Sequence, residues 1–422
     1  MSQIFQAPKG VSEYFPPRSS AFETVLRKLE QVSLAANYHL IELPVFEETE
    51  LFTRGVGEST DVVTKEMYTF EDRGGRSLTL RPEGTAGVIR SMIENNLDRG
   101  QLPVKLFYRG AFFRAERPQA GRYRQFYQFG IEAVGVDDPF LDVEVIAIAY
   151  KGFKALGLNN FELQLTSLGD EESRARHRVE FLKFLSTLNL DEETQERVKK
   201  NPLRIFDDKR GEIQSKLQDA PLLINFLSPQ SAEKFDVVQS TLTAINIPFV
   251  VNARMVRGLD YYTGTAFEFV HGGLGAQASI GGGGRYDGLM KTLGGQDLSG
   301  IGFGLGIDRI ILALESEDAA IIKECGAGYL DLFVIPIGAE ARTLAFSLVE
   351  SVRDAGFVAD MGFGDRSLKG AMKAADKLNA RNVLVLGEAE LQTGQGRLKR
   401  MADGNEQSIT LDSLVTALKN AL

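Results

Sequence analysis

Between residues 105 and 124 the chain carries Lys105, Arg109, Arg114, Arg117, Arg122 and Arg124 against a single acid, Glu116. Aromatic residues interleave with them. Guanidinium groups set among rings suit planar, bidentate recognition of an anion, although a solvated charged hairpin would look the same in sequence. Two more arginines, Arg257 and Arg309, stand beside glycine-rich stretches. Residues 300–306 place glycine at every second position, so a strand there has one bare face on which a flat ring can lie, or against which another element packs closely. Arg309 falls in the first turn of the helix that follows, a natural place for a phosphate. Arg114, Arg122, Arg257 and Arg309 with that bare strand would hold a bent triphosphate and its base. Glu83 and Glu132, with Gln128, Tyr262 and Tyr286, would hold a small polar ligand bearing an ammonium group. In Arg81-Pro82-Glu83-Gly84-Thr85 the carboxylate and hydroxyl either face that ammonium or form a turn and helix cap.

Other chemistries are excluded by spacing. Gly300–Arg309 never spells GxGxxG, no Gly-Lys pair exists for a P-loop, and no GxSxG elbow occurs. His39, His177 and His271 are far apart and read as packing or surface residues. The lone Cys325 excludes an internal disulfide framework and a cysteine-built zinc site. No apolar run approaches the ~18 residues of a membrane span. The N-terminus lacks a signal-peptide pattern, so a cytoplasmic protein is expected. A net charge of −9 argues against indiscriminate nucleic-acid binding but leaves room for local basic patches.

The elements that must position these residues follow from periodicity. Residues 107–132 read as a β-hairpin with an extended tip at Arg117–Tyr123, placing Phe112, Arg114 and Glu116 on one face of the first strand and Gln128, Gly130 and Glu132 on one face of the second. A helix is expected at 20–36, a strand at His39–Phe46 carrying Pro44, a hairpin at 67–81 turning at Gly74-Gly75, and a helix around 85–96. Another helix is expected at 137–157, strands at Phe161–Leu165, Ala266–Val270 and Gln277–Ile280, and a buried helix from Ile307. Residues of about 170–245 read as a mostly helical insertion. A composition break at 316–328 ends the first domain, 1–325. Residues 329–422 alternate strand and helix, which argues for a small α/β domain on a largely parallel sheet.

Phe113-Arg114-Ala115-Glu116-Arg117-Pro118-Gln119-Ala120-Gly121-Arg122-Tyr123-Arg124-Gln125-Phe126 resembles motif 2 of class II aminoacyl-tRNA synthetases, in the form of the histidyl-tRNA synthetase family. Arg257–Gly264 (RGLDYYTG) and Gly282–Gly288 (GGGRYDG) resemble that family's two histidine signatures, and Gly302–Arg309 resembles motif 3. Helix, strand and Pro44 resemble motif 1, and Lys9-Gly10, Arg81–Thr85 and Asn201–Ile205 fall in family order. One departure is Gly110-Ala111-Phe112, where many relatives have a Pro-Met pair.

The resemblance implies an α+β catalytic core on an antiparallel sheet, the helical insertion, and a C-terminal α/β anticodon-binding domain. It implies a histidine–tRNA ligase that is homodimeric and uses ATP, L-histidine and tRNA(His). By similarity, Arg114 would grip the ATP α-phosphate and Arg309 the γ-phosphate end, with Glu116 and Arg122 also at the nucleotide. Glu83, Thr85 and Gln128 would bind the histidine backbone groups. Glu132, Tyr262 and Tyr286 would surround the imidazole, and Arg257 would bridge carboxylate and α-phosphate. Mg²⁺ is expected on the β- and γ-phosphates, carried mainly by phosphate oxygens and water rather than by a protein metal site. Arg117 and Gln119 would meet the tRNA acceptor end. Lys369, Lys373 and Lys377, at i, i+4, i+8, form either an RNA-binding or a merely solvated helix face. A pocket that hydrogen-bonds a ring should reject apolar competitors unaided, so no editing domain is expected. The rival class is the non-catalytic regulatory subunit of ATP phosphoribosyltransferase, which resembles the core but generally lacks the last domain and an intact motif 2.

Overall fold

The computed structural model describes residues 5–58, 60–275, 278–322, 330–364 and 366–421. Gln277, Cys325, the end of the break at 316–328 and the domain junction expected at 325–329 lie outside them. The chain divides into two compact units, Met1–Ile322 and Lys323–Leu422.

The strands of the first unit are β1 (His39–Leu40), β2 (Phe46–Glu48), β3 (Tyr68–Glu71), β4 (Ser77–Leu80), β5 (Val104–Phe113), β6 (Gln125–Val134), β7 (Phe161–Ser167), β8 (Val250–Val251), β9 (Thr263–His271), β10 (Ser279–Arg285) and β11 (Gly300–Gly306). An eight-stranded sheet runs β1-β5-β6-β11-β10-β9-β7-β8. Its six inner strands are antiparallel, and short parallel pairings add β1 and β8 at the edges. Alternation with period two sorts its faces. Phe129, Ile131 and Ala133 of β6 and Ile301, Phe303 and Leu305 of β11 enter the main core. Helices Arg18–Ala35, Pro139–Ala155, Pro229–Ala244 and Ile307–Ser316 cover that face. The opposite face belongs to the candidate site.

One expectation for the first unit is corrected by packing. The strand expected over His39–Phe46 is two pieces: β1 pairs with β5, and β2 joins a separate three-stranded sheet, β2-β4-β3. Pro44, which has no N–H to donate, lies in the bend between them. The helical segment of about 170–245 also packs in two parts. Phe181, Leu185, Ile205, Ile213 and Leu217 form a small core of their own, whereas Phe235, Val238 and Leu242 of the last helix enter the main core. Asp170 ties the two ends together. Its carboxylate accepts from the Ser173 N–H at 2.8 Å, the Ser231 hydroxyl at 2.9 Å and the Ser228 hydroxyl.

The second unit holds β12 (Leu330–Pro336), β13 (Ala359–Met361), β14 (Ala380–Leu386), β15 (Gln395–Arg400) and β16 (Glu406–Thr410) in the order β13-β12-β14-β15-β16. β12 is parallel to β13 and β14, but β15 and β16 are antiparallel, so the sheet is mixed rather than largely parallel. The reason is local. β15 and β16 are a hairpin, and antiparallel strands need only a short turn, here with Gly404 at φ +72°. Lys369, Lys373 and Lys377 are exposed on helix Leu368–Lys377, and Ala371 and Ala375 face inward. Among the described residues no helix is long and apolar enough to cross a membrane.

Candidate active site

One cavity of about 420 Å³ opens on the bare face of the large sheet. Arg114, Arg122, Arg257 and Arg309 all line it, as do Glu83, Thr85, Glu116, Gln128 and Tyr262. The four guanidiniums come from the tip of the β5–β6 hairpin, the loop before β9 and the helix after β11. Only the assembled sheet brings these into one place.

The floor is laid by glycines of two strands, and the Tyr108 ring covers the third strand's Gly130. Register aligns Gly282 with Gly304 and Gly304 with Gly130, with Glu268 on β9 at one end and Tyr108 on β5 at the other. The bare strand is only partly open. The Tyr286 ring occupies the side-chain place at Gly300, and the Glu132 carboxylate occupies it at Gly302. At Gly304 the nearest group is Gln128 at 3.5 Å, so the open floor begins there.

At one end the cations gather. Arg309 donates to the Gly121 carbonyl at 2.6 Å and the Ser279 carbonyl at 2.8 Å, pinning the hairpin tip to β10. Arg114 donates to the Pro82 carbonyl at 3.0 Å and lies 5.4 Å over the Phe126 ring. Arg122 pairs with Glu116 and, at 3.5 Å, with Glu66. Burial, then the charges of Arg114 and Arg122, pulls the Arg309 guanidinium below its usual value. Mutual repulsion of this kind is relieved by an anion, and a polyphosphate fits it. Arg257 stands between the two ends. It bonds Glu268 at 3.3 Å, lies 5.2 Å over the Tyr262 ring, and its guanidinium covers Gly282 at 3.0 Å from where a Cβ would be.

At the other end carboxylates and hydroxyls interlock. Glu83 accepts from the backbone N–H groups of Thr85 at 2.8 Å and Ala86 at 3.0 Å, and from the Tyr261 hydroxyl at 3.3 Å. It therefore caps helix Thr85–Glu94 and lines the cavity as well. Glu132 is fully buried, one layer behind the wall. It accepts from Thr85 at 2.8 Å, Tyr286 at 2.5 Å and Tyr108 at 3.5 Å. Tyr286 is 2% exposed and, like Glu132, does not line the cavity. Burial pushes the Glu132 carboxyl up to about 8 and raises that of Glu83. Between pH 4.5, the ordinary value, and 8 the folded chain keeps a proton on Glu132 that the unfolded chain has lost. This group's contribution to stability thus falls as pH rises through that window, by up to about 1.4 kcal/mol per unit. Glu132→Gln is expected to flatten that part of a curve of melting temperature against pH. An unchanged slope would locate it elsewhere.

Two family models match the chain: histidyl-tRNA synthetase over residues 10–310 and the anticodon binding domain over 331–421. The chain belongs to the histidyl-tRNA synthetase family. It is 56% identical over 418 residues to "Histidine--tRNA ligase" of Saccharopolyspora erythraea, covering 99% of both chains. With the Corynebacterium jeikeium protein of that name it shares 57% over 417 residues, 99% of this chain and 93% of the other. Apo histidyl-tRNA synthetase from S. aureus superposes with a TM-score of 0.84 at 35% identity, covering 99% of this chain and all of that one.

For a histidyl-tRNA synthetase the motif 2 hairpin is more divided than its sequence implied. Lys105 pairs with Glu144 at 2.7 Å and Arg109 with Glu30 at 3.1 Å, away from the cavity. Arg124 donates to backbone carbonyls of Glu116 and Lys9. Arg117 and Gln119 are exposed at the tip and do not line the cavity. At Gly110 an Arg81 amino group occupies the place a Cβ would take. Arg81 itself is structural, donating to the carbonyls of Ala111 and Leu43 at 2.8 Å. Sequence reasoning missed Tyr108, Tyr261 and Glu268. Tyr108 shares strand parity with Phe112 and Arg114, a signal that would have found it. Nothing in Tyr261-Tyr262 tells which ring reaches Glu83.

Proposed function

We infer that this chain is a histidine–tRNA ligase, joining L-histidine to ATP as histidyl-adenylate with release of pyrophosphate, then passing histidine to the 3′ end of tRNA(His). The observation that carries this is the single cavity in which four guanidiniums meet a buried carboxylate–hydroxyl cluster across a floor of glycine.

On this reading a histidine carboxylate oxygen attacks the α-phosphorus in line, and the bond to the bridging oxygen of pyrophosphate breaks. No protein nucleophile is required, so positioning and charge stabilisation do the work. Arg114 takes the α-phosphate, Arg122 and Glu116 the nucleotide, and Arg309 the γ-phosphate end. Arg257, midway between the ends, steadies the histidine carboxylate and the charge growing on the α-phosphate. Glu83, Thr85 and Gln128 take the backbone groups. Tyr262 faces the ring, while Glu132 and Tyr286 act from behind the wall, Glu132 through the Thr85 and Tyr108 hydroxyls that line it, so that hydroxyls meet the ring N–H and acceptor nitrogen. An apolar competitor would leave those groups unpaired.

Mg²⁺ would be carried mainly by the β- and γ-phosphate oxygens and water, where it would neutralise charge on the departing pyrophosphate. Arg117 and Gln119 at the exposed tip are suited to the acceptor end of tRNA, and Lys369 and Lys373 to RNA bound by the second unit. Phe46 and Phe70, 51% and 43% exposed and in edge-on contact, give an apolar face beside Val45 that suits a homodimer. The protein would act in the cytoplasm.

The regulatory-subunit reading has against it the intact motif 2 arginines and the anticodon binding domain matched over 331–421. A solved ATP phosphoribosyltransferase regulatory subunit/histidyl-tRNA synthetase from Bacillus halodurans, at 21% identity and a TM-score of 0.66, shares the fold alone. Exchange of labelled pyrophosphate into ATP separates the two. A ligase is expected to support it only when L-histidine is present, and absence of that dependence would reject the assignment.

A further inference from the structure

The loop that carries Arg257 and Tyr262 has no ladder of its own. From Asn252 to Tyr262 the backbone is turns and bends. It is also thin. A second cavity of about 540 Å³ lies behind it, and Arg257, Leu259, Tyr261 and Tyr262 line both cavities. A strip of irregular backbone with open space on both sides cannot hold two side chains at a reacting centre unless something outside it fixes its course.

The insertion supplies those fixed points. Arg204, on the short helical turn Pro202–Asp207, donates to the Gly258 carbonyl at 3.0 Å and to the Asp260 carboxylate at 3.2 Å. The Asn201 amide donates to the same Asp260 oxygen at 3.1 Å. Arg174, on helix Glu171–Ser186, reaches the Tyr262 carbonyl at 3.4 Å. Leu203 packs into the insertion's own core and, like Tyr262, against the cluster of Leu168, Leu223 and Ala266. On the far side the Asp260 N–H donates to the Val56 carbonyl at 3.2 Å, so Asp260 is the point where loop, insertion and core meet. Arg204 is firmly placed, with its side chain 16% exposed and Ile205 beside it buried in the insertion core.

We propose that Arg204, assisted by Asn201, is a positioning residue for adenylate formation: it fixes the Gly258–Asp260 backbone and so holds Arg257 and Tyr262 in register with the glycine floor. The insertion is then part of the activation machinery and not only an appendage. Both bonds leave one nitrogen, Nη2, which stands one bond further from the backbone than a lysine ammonium, so lysine restores the brace only in part.

This rests on the ligase reading, and the test keeps the two apart. Histidine-dependent pyrophosphate exchange, which involves no tRNA, is measured for the full chain, for Arg204→Ala, for Arg204→Lys and for Arg176→Ala, an exposed arginine on the same insertion. Arg204→Ala is expected to lower the exchange kcat tenfold or more, with the KM for ATP and the melting temperature near those of the unaltered chain. Arg204→Lys should recover part of the loss, and Arg176→Ala should show none. Exchange in Arg204→Ala equal to that of Arg176→Ala would overturn the proposal, as would a loss matched by a fall in melting temperature. Should alanine unfold the chain, the kcat of a folded Arg204→Lys decides in the same way. No histidine-dependent exchange in the unaltered chain would instead overturn the reading on which it rests.

Discussion

Arg257→Ala should lower histidine-dependent pyrophosphate exchange by about 10²–10³-fold, the usual cost of removing a donor aimed at charge that grows in the transition state. The side chain stands over Gly282, held by Glu268 and stacked on Tyr262, between the cation cluster and the carboxylate cluster. Its Nε is buried without a hydrogen-bond partner. A buried donor left unmatched costs about 1–3 kcal/mol, so its presence suits a partner that arrives with substrate. Histidine binding, measured by calorimetry, should weaken far less than exchange, because Glu83, Thr85 and the Glu132 cluster remain. Exchange within a few-fold of the unaltered chain would remove Arg257 from the reaction.

Gly302→Ala, a single methyl group, is expected to do as much harm or more. A Cβ at this position would fall on the Glu132 carboxylate and the Ile131 carbonyl. Either β11 parts from β6 or Glu132 leaves its place, and leaving breaks its bonds to Thr85, Tyr286 and Tyr108. Stranding a buried carboxyl in this way costs about 3 kcal/mol or more. The measurements are a thermal melt and the exchange rate, and both should fall sharply. Gly304→Ala is the informative contrast, since its Cβ meets nothing nearer than Gln128 at 3.5 Å. Its melting temperature should stay close to normal. Equal melting temperatures for the two variants would refute the account of the floor.

Glu83 and the hairpin cations mark how far sequence reaches. Two uses were open for Glu83, helix cap or ligand carboxylate, and the structure gives it both a capping bond and a place in the cavity wall. Choosing between uses needs to know what lies opposite, and that partner, Tyr261, is 178 residues away. The six cations of 105–124 look alike in sequence, yet only Arg114 and Arg122 line the cavity. Lys105 and Arg109 are neutralised by Glu144 and Glu30 on other helices. Charge can be counted locally, but pairing cannot.

By itself the sequence determined the element types, the hairpin that carries motif 2, the family signatures and the two-part organisation. Each depends on periodicity or on neighbours within a few residues, where backbone geometry leaves little choice. Tertiary structure alone decided that Gly282 and Gly304 form one floor, that Tyr286 and Glu132 fill the far half of the glycine strand, and that the insertion braces the Arg257 loop. Those facts are set by strand register and by contacts between distant segments. Register is a global property: a shift of one residue would turn every alternate side chain to the opposite face.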